Sequence, residues 1–298
     1  MRRVGILVPL PKTDPVVRRN FTAFADEMAK AGWVEGKTVQ YDFRSSLGAG
    51  VDIATSAAEI VALAPDVILA ITPQSTYALK RIAGAIPAVF VVVDDPLRNG
   101  IVASIARPGG LFTGVAELGY AAGPKTLQLL KQMATAMTRV AFLYDSSENP
   151  PVDWVEGAAR AVAVTPSLMT VGSDAEIDSA LATFGREPDG GVVVIAEIFT
   201  ASHRRRIIDA VARLGLPAVY PYRYFAADGG LMSYSPEQTG EFRQAAYLVD
   251  RILHGAAPAD LPVQTPNRFE MIINAKTAQA LGITVPALLL TGADEVIE

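Results

Sequence analysis

Cysteine is missing altogether from the 298 residues, and histidine occurs only at His203 and His254. Without thiolates there is no disulfide, no cysteine nucleophile, no iron–sulfur cluster and no thiolate zinc site. Two histidines so far apart make no multi-histidine centre, so neither a metal nor a cofactor is expected. Charge of one sign is also scarce as a block: 26 Lys+Arg stand against 31 Asp+Glu, a net charge of −5, with no long acidic or basic run. That balance lacks the electrostatic footprint of a nucleic-acid or anionic-membrane binder. No uninterrupted apolar run approaches the roughly 18–20 residues that span a bilayer. The opening Met1-Arg2-Arg3 and the apolar residues 4–10 imitate a signal peptide, but the stretch is too short and no small-residue cleavage site follows. It reads as a buried first strand.

What is present is a chain with 50% hydrophobic residues, long enough for two domains. Short β-branched runs alternate with amphipathic stretches, the pattern of βα units and parallel sheets covered on both faces. The first series has strands near residues 4–8, 39–44, 66–71, 88–93 and 113–116, with helices near 16–31, 52–63 and 75–83. A second series follows: helix 123–133, strand 139–144, helix 152–162, strand 167–171, helix 174–184, strand 191–196, helix 202–214 and strand 218–222. The tail offers strand 230–235, helix 236–253 and strand 269–274, too few to bury a third core. The expected fold is therefore α/β: two doubly wound Rossmann-like lobes joined by a multi-strand hinge. Residues 1–118 with about 234–260 form the first lobe, and residues 119–233 with about 261–298 the second. The sequence leaves the last crossing open.

No GxSxG, HExxH, P-loop or EF-hand signature occurs, so no catalytic residue is named and no enzyme is expected. Gly48-Ala49-Gly50 imitates a dinucleotide fingerprint, but it follows the second strand, and Ile53 stands where the last glycine belongs. Arg204-Arg205-Arg206 reads as a solvated helix face.

Topology nominates the binding residues, because ligands of open α/β sheets sit outside the carboxyl ends of the strands, here in a cleft between two lobes. After strand one come Lys12, Thr13 and Asp14; after strand three, Thr72, Gln74, Ser75 and Thr76; after strand four, Asp94 and Asp95. The second lobe offers Tyr144, Ser146, Ser147, Asn149, Glu197, Tyr222 and Tyr224. Hydroxyls where a strand enters a helix, with the helix dipole, make a natural carboxylate site, and N-capping is the competing use of the same residues. One aspartate is a candidate for an α-amino group; turn and helix capping is the alternative. The tyrosines suit a flat ligand part or the packing of the lobe.

Four ordered motifs then carry a resemblance. They are Gly32-Trp33-Val34-Glu35-Gly36-Lys37; Asp95-Pro96 with residues 100–110 and Thr113-Gly114; Gly229-Gly230-Leu231-Met232-Ser233-Tyr234; and residues 258–264 with Phe269-Glu270-Met271-Ile272-Ile273-Asn274 and Lys276-Thr277-Ala278. Over nearly its whole length the chain resembles ABC-transporter substrate-binding proteins of the tryptophan- and aromatic-amino-acid-binding type. The resemblance implies a type I periplasmic-binding-protein fold that closes over a small-molecule solute and delivers it to an ABC permease in the membrane. It implies a periplasmic or extracytoplasmic address and a monomer that binds no nucleic acid. For the ligand carboxylate it nominates Thr72, Ser75, Thr76, Ser147 and Asn149, and for the ammonium Asp94 or Asp95. A cytosolic ligand sensor of the same fold is the alternative, although no helix-turn-helix segment precedes the first strand.

Overall fold

The computed structural model describes residues 1–47, 50–117, 119–146 and 152–298, with backbone alone at 119–121 and 152–153. The chain divides into two compact units, Met1–Leu118 with Pro236–Arg268, and Gly119–Ser235 with Phe269–Glu298. It passes from one to the other after residues 118, 235 and 268.

Unit 1 is a five-stranded sheet ordered β2-β1-β3-β4-β5. Its strands are β1 (Arg2–Val8), β2 (Val39–Ser45), β3 (Val67–Ile71), β4 (Ala88–Asp94) and β5 (Phe112–Glu117). Every neighbouring pair is parallel. All five residues of β3 are buried. A central parallel strand covered on both faces has no solvent side on which to place polar residues, so it reads as an unbroken apolar run.

Helices α1 (Pro15–Lys30) and α10 (Gln238–Leu253) cover one face, burying Phe24, Met28, Phe242 and Val249 against Val4, Ile6, Leu69, Val91 and Val115. Helices α2 (Ile53–Ala62) and α3 (Pro73–Ile82) cover the other, with Ile60 and Leu79 against Leu7, Ile68, Phe90 and Ala116. The segment after α10 runs beside β5: Gln264 N donates to Gly114 O at 2.8 Å, Ala116 N to Gln264 O at 2.9 Å, and Thr113 Oγ1 to Leu261 O at 2.7 Å. Residues 261–268 therefore lie in the first unit, where the sequence reading puts them in the second. Backbone pairing beside β5, invisible to composition, decides it.

Asp66 ties the amino end of β3 to β1, accepting from Arg3 N at 2.7 Å and Arg2 Nη1 at 2.6 Å. Burial pushes this carboxyl up, but the Arg3 amide and the Arg2 guanidinium outweigh it and hold it below its ordinary value of 3.8. A depressed folded value stabilises above the unfolded value, and that stability is lost as pH falls through the folded one. Asp66→Asn is thus expected to lower the urea midpoint at pH 7, with the gap to wild type narrowing below pH 3.8. A gap independent of pH would sink this assignment.

Unit 2 holds a seven-stranded sheet ordered β12-β11-β10-β9-β8-β6-β7. Its strands are β6 (Arg139–Asp145), β7 (Thr165–Val171), β8 (Gly190–Val194), β9 (Ala218–Tyr220), β10 (Met232–Pro236), β11 (Phe269–Asn274) and β12 (Glu295–Ile297). One face carries α4 (Gly119–Met133), α5 (Val152–Ala161), α11 (Ala275–Ala280) and α12 (Ala287–Gly292), around Leu130, Phe142, Val219 and Ile273. The other carries α6 (Asp174–Phe184), α8 (Arg204–Arg213) and α9 (Arg223–Ala227), around Leu143, Ile177, Ile207 and Tyr220.

The helix expected at residues 202–214 is α8, and a short α7 (Ile198–Ser202) that the sequence reading lacks precedes it, the two meeting at His203. The strand expected to reach residue 222 stops at Tyr220, and α9 begins at Arg223. No helix among the described residues is long and apolar enough to cross a membrane.

Candidate functional site

In unit 1 the neighbouring parallel strands β1, β3 and β4 end side by side, which brings residues 12–14, 72–76 and 94–95 to one edge of the sheet. At its centre is the start of α3. Pro73 supplies the fixed φ suited to a first helical position. Thr72 stands where a capping residue would, yet its hydroxyl makes no cap bond. Its backbone sits at φ 87°, ψ 160°, a region nearly reserved for glycine and costing about 1–3 kcal/mol.

Thr72 Oγ1 and Ser75 Oγ are both buried and have no hydrogen-bond partner among the described residues. Ser75 and Thr76 are each 0% exposed. Thr76 spends its proton on Thr72 O at 2.9 Å. A helix's opening N–H groups also lack intrahelical acceptors and carry the positive end of its dipole. Two unsatisfied hydroxyls beside such amides form a cradle for an anionic, oxygen-bearing group.

The flanking residues divide between ligand and structural uses. Asp14 caps α1, accepting from Val16 N at 2.8 Å, Lys12 Nζ lies 4.4 Å over the Phe43 ring, and Thr13 is exposed. Gln74 is half-buried in the first turn of α3. Asp95, exposed and at φ 39°, accepts from Arg98 N at 2.9 Å, which makes that oxygen a turn cap. Asp94 is half-buried at the end of β4, just past a bulge where Val92 sits at φ 58°. Strained residues at the ends of both β3 and β4 persist only where their surroundings over-determine them.

In unit 2 the strands β6, β8 and β9 end next to one another in the same way. Asp145 N donates to Glu197 Oε2 at 2.5 Å, tying the end of β6 to the loop after β8. Glu197 N in turn donates to Thr200 Oγ1, part of the capping box that opens the short α7. Tyr144 is buried, and its hydroxyl accepts from Thr170 Oγ1 at 2.8 Å.

Tyr222, Tyr224, Phe225 and Tyr220 form a continuous stack, with centroids 5.3, 5.1 and 5.3 Å apart. Tyr220 and Phe225 are core residues of that stack, while Tyr224 is half-buried under the Arg204 guanidinium, 5.4 Å away. Ser146 is exposed, and Ser147 and Asn149 lie outside the described residues.

Three polar residues escaped the sequence reading. Glu241, in the first turn of α10, is 1% exposed, and neither carboxyl oxygen has a partner among the described residues. Burial first, and then the charge of Glu117, pushes its carboxyl well above the usual range. Glu117 ends β5 and is itself buried. Asn20 of α1, 4% exposed, donates to Gln238 Oε1 at 3.3 Å, and its Oδ1 has no partner among the described residues. The signal was present in α10: Glu241 shares the stripe of Gln238, Phe242 and Ala245, a carboxyl in the core register of an amphipathic helix.

Two Rossmann-like units threaded by one chain are the construction of type I periplasmic binding proteins, and the solved structures agree. An ABC domain from Streptococcus pneumonia in complex with L-Trp superposes at TM-score 0.89, with 26% identity and 99% of each chain covered. A conserved domain protein from Vibrio cholerae does so at 0.90, with 22% identity and again 99% of each chain. The chain belongs to the ABC transporter substrate binding protein family, whose model matches residues 3–297. A Tyrosine-binding protein from Clostridioides difficile is 24% identical over 286 residues, 94% of this chain and 81% of its own length.

Proposed function

We propose that the chain is the non-enzymatic, extracytoplasmic receptor of an ABC importer, a monomer that closes over one aromatic amino acid and hands it to a membrane permease. The observation that carries the ligand class is the pair of orphaned hydroxyls, Thr72 Oγ1 and Ser75 Oγ, at the start of α3. Leaving buried hydroxyls unsatisfied costs about 1–3 kcal/mol each, and a ligand carboxylate accepting from both recovers that cost. Gln74 and Thr76 flank the same turn; Lys12 and Thr13 border it.

In unit 2 the residues proposed for the ligand's ring are Tyr222 and Tyr224, at the outer end of the aromatic stack. Tyr144, Ser146, Ser147, Asn149 and Glu197 complete the proposed set on that side. Asp94 and Asp95 are the sequence candidates for the ammonium. The relatives named for tyrosine and solved with L-Trp support an aromatic amino acid.

Thermal unfolding of the whole chain tests this reading. L-tyrosine or L-tryptophan at 1,000 times its dissociation constant is expected to stabilise the native state by about 4 kcal/mol, a rise of roughly 6 °C for a chain of this size. A comparable rise with a sugar or nucleoside, and none with either amino acid, overturns it.

A further inference from the structure

From the buried acceptors beneath the first turn of α10 we infer that Glu241, with Glu117 and Asn20, is the receptor for the ligand's α-ammonium. This rests on the amino-acid reading above and deepens it, placing the cation on α10 and β5 instead of at Asp94 or Asp95.

The geometry begins with the sheet. Along β5, Val115 packs into the α1–α10 side and Ala116 into the α2–α3 side, so Glu117 returns to the face that α10 covers. Glu241 is set over that strand end, since α10 packs across β3, β4 and β5 as well as α1. Both Glu241 oxygens are buried and accept from no described group. Asn20 provides the second, independent observation. Its Nδ2 pins it to Gln238, one turn before Glu241, and its buried Oδ1 is also left without a donor.

An ammonium has three N–H donors and no acceptor, so the Glu241 oxygens and Asn20 Oδ1, which have no donor among the described residues, are its complement. Thr72 and Glu117 end strands two places apart in the sheet, roughly 10 Å at ordinary strand spacing. Two hydrogen bonds and the head group of an α-amino acid span such a gap. Hydroxyls that donate at one end and carboxyls that accept at the other match the polarity of a zwitterion.

Among the described residues, Glu117 of β5 acts on Glu241 by its charge, and Asn20 of α1 meets α10 through Gln238; β3 and β4 bring the apolar Leu69, Ile71, Val89 and Val91 to the core that α10 covers. On α10 itself, Glu237 one turn earlier is engaged by Thr239 and Arg243. Burial and the charge of Glu117 hold Glu241 protonated above the usual carboxyl range. An arriving ammonium favours the carboxylate, and the displaced proton leaves to solvent.

The test pairs L-tyrosine with 3-(4-hydroxyphenyl)propionate, and L-tryptophan with 3-(indol-3-yl)propionate, in titration calorimetry at pH 6 in two buffers of different ionisation enthalpy. Wild type is expected to bind an amino acid about 100-fold more tightly than its deaminated acid and to release protons as it does so. Glu241→Gln, which keeps shape and removes charge, is expected to bind both members of a pair within about threefold of each other and to release no proton. Its affinity for the deaminated acid should stay near that of wild type. Equal weakening of both probes in Glu241→Gln, or retention of the wild-type preference, overturns the assignment. So does loss of the preference in Asp94→Asn but not in Glu241→Gln.

Wild type that binds both members equally refutes the ammonium site while leaving the receptor reading in place. Wild type that binds none of the four probes refutes the receptor reading, and this assignment with it. Should Glu241→Gln fail to fold, proton release by wild type decides alone: its presence supports the site and its absence ends it.

Discussion

Replacing Thr72 by valine and Ser75 by alanine together will raise the stability of the ligand-free chain while removing most of its affinity for an aromatic amino acid. The two signs have one cause. Each hydroxyl is buried and bonded to nothing among the described residues, so in the empty protein it is a desolvated group without compensation. Such a group costs about 1–3 kcal/mol. Valine and alanine remove it with little change of shape, and the ligand-free melting temperature should rise by about 3–9 °C for the pair. With ligand present the same hydroxyls donate to a carboxylate, and hydrogen bonds to charged groups are worth about 1.5–3 kcal/mol each. Losing two should weaken binding by about 10²–10⁴-fold. Melting curves without ligand and calorimetry with L-tyrosine and L-tryptophan read the two effects separately. Lower stability together with unchanged affinity would show that the hydroxyls serve the fold.

The backbone around those hydroxyls points the same way. Thr72 at φ 87°, Val92 at φ 58° and Asp95 at φ 39° all lie in the left-handed half of conformational space, at the carboxyl ends of two neighbouring strands. Local strain of that kind lowers stability unless a later interaction uses the geometry it creates. Under the function proposed above, ligand binding at this edge would be such an interaction.

The βα rhythm was readable because parallel strands buried on both faces cannot alternate: Val67, Ile68, Leu69, Ala70 and Ile71 form one apolar run. The Thr72 to Thr76 cluster was readable too, since hydroxyl residues just past such a run mark a strand entering a helix. That Thr72 does not cap, and that Ser75 finds no acceptor, depends on backbone angles that no residue pattern encodes. The short α9 was missed because Tyr222, Tyr224 and Phe225 have the composition of a strand, yet the chain turns into a helix after Tyr222 and Phe225 stacks back on Tyr220. Glu117 and Glu241 stand far apart in sequence, and only the return of the chain to the first unit after residue 235 lays α10 over the end of β5. Their charge coupling belongs to topology.

Gly114→Ala tests whether the β4–β5 pair holds the first unit in its site-forming shape, and the variant is expected to melt at least 5 °C below wild type. A Cβ at this position would collide with Phe90 O and stand 2.5 Å from two carbons of the Phe90 ring. The ring cannot withdraw, because Phe90 is 0% exposed in the core shared with α2 and α3. Either β5 moves off β4 or Phe90 leaves its rotamer. Overpacking of this kind costs about 1–3 kcal/mol, and the clash with a backbone oxygen places it at or above the upper end. The register of the pair already shifts between Phe90 and Val93, so the displacement enters where β4 bulges toward Asp94. On the partner strand it is carried to Glu117. Stabilisation by L-tyrosine or L-tryptophan should therefore shrink along with the melting temperature. Gly110→Ala is the control: a Cβ there meets nothing within 4 Å, and its melting temperature should match wild type. If the two variants melt alike, close approach at Gly114 is not what fixes the pair.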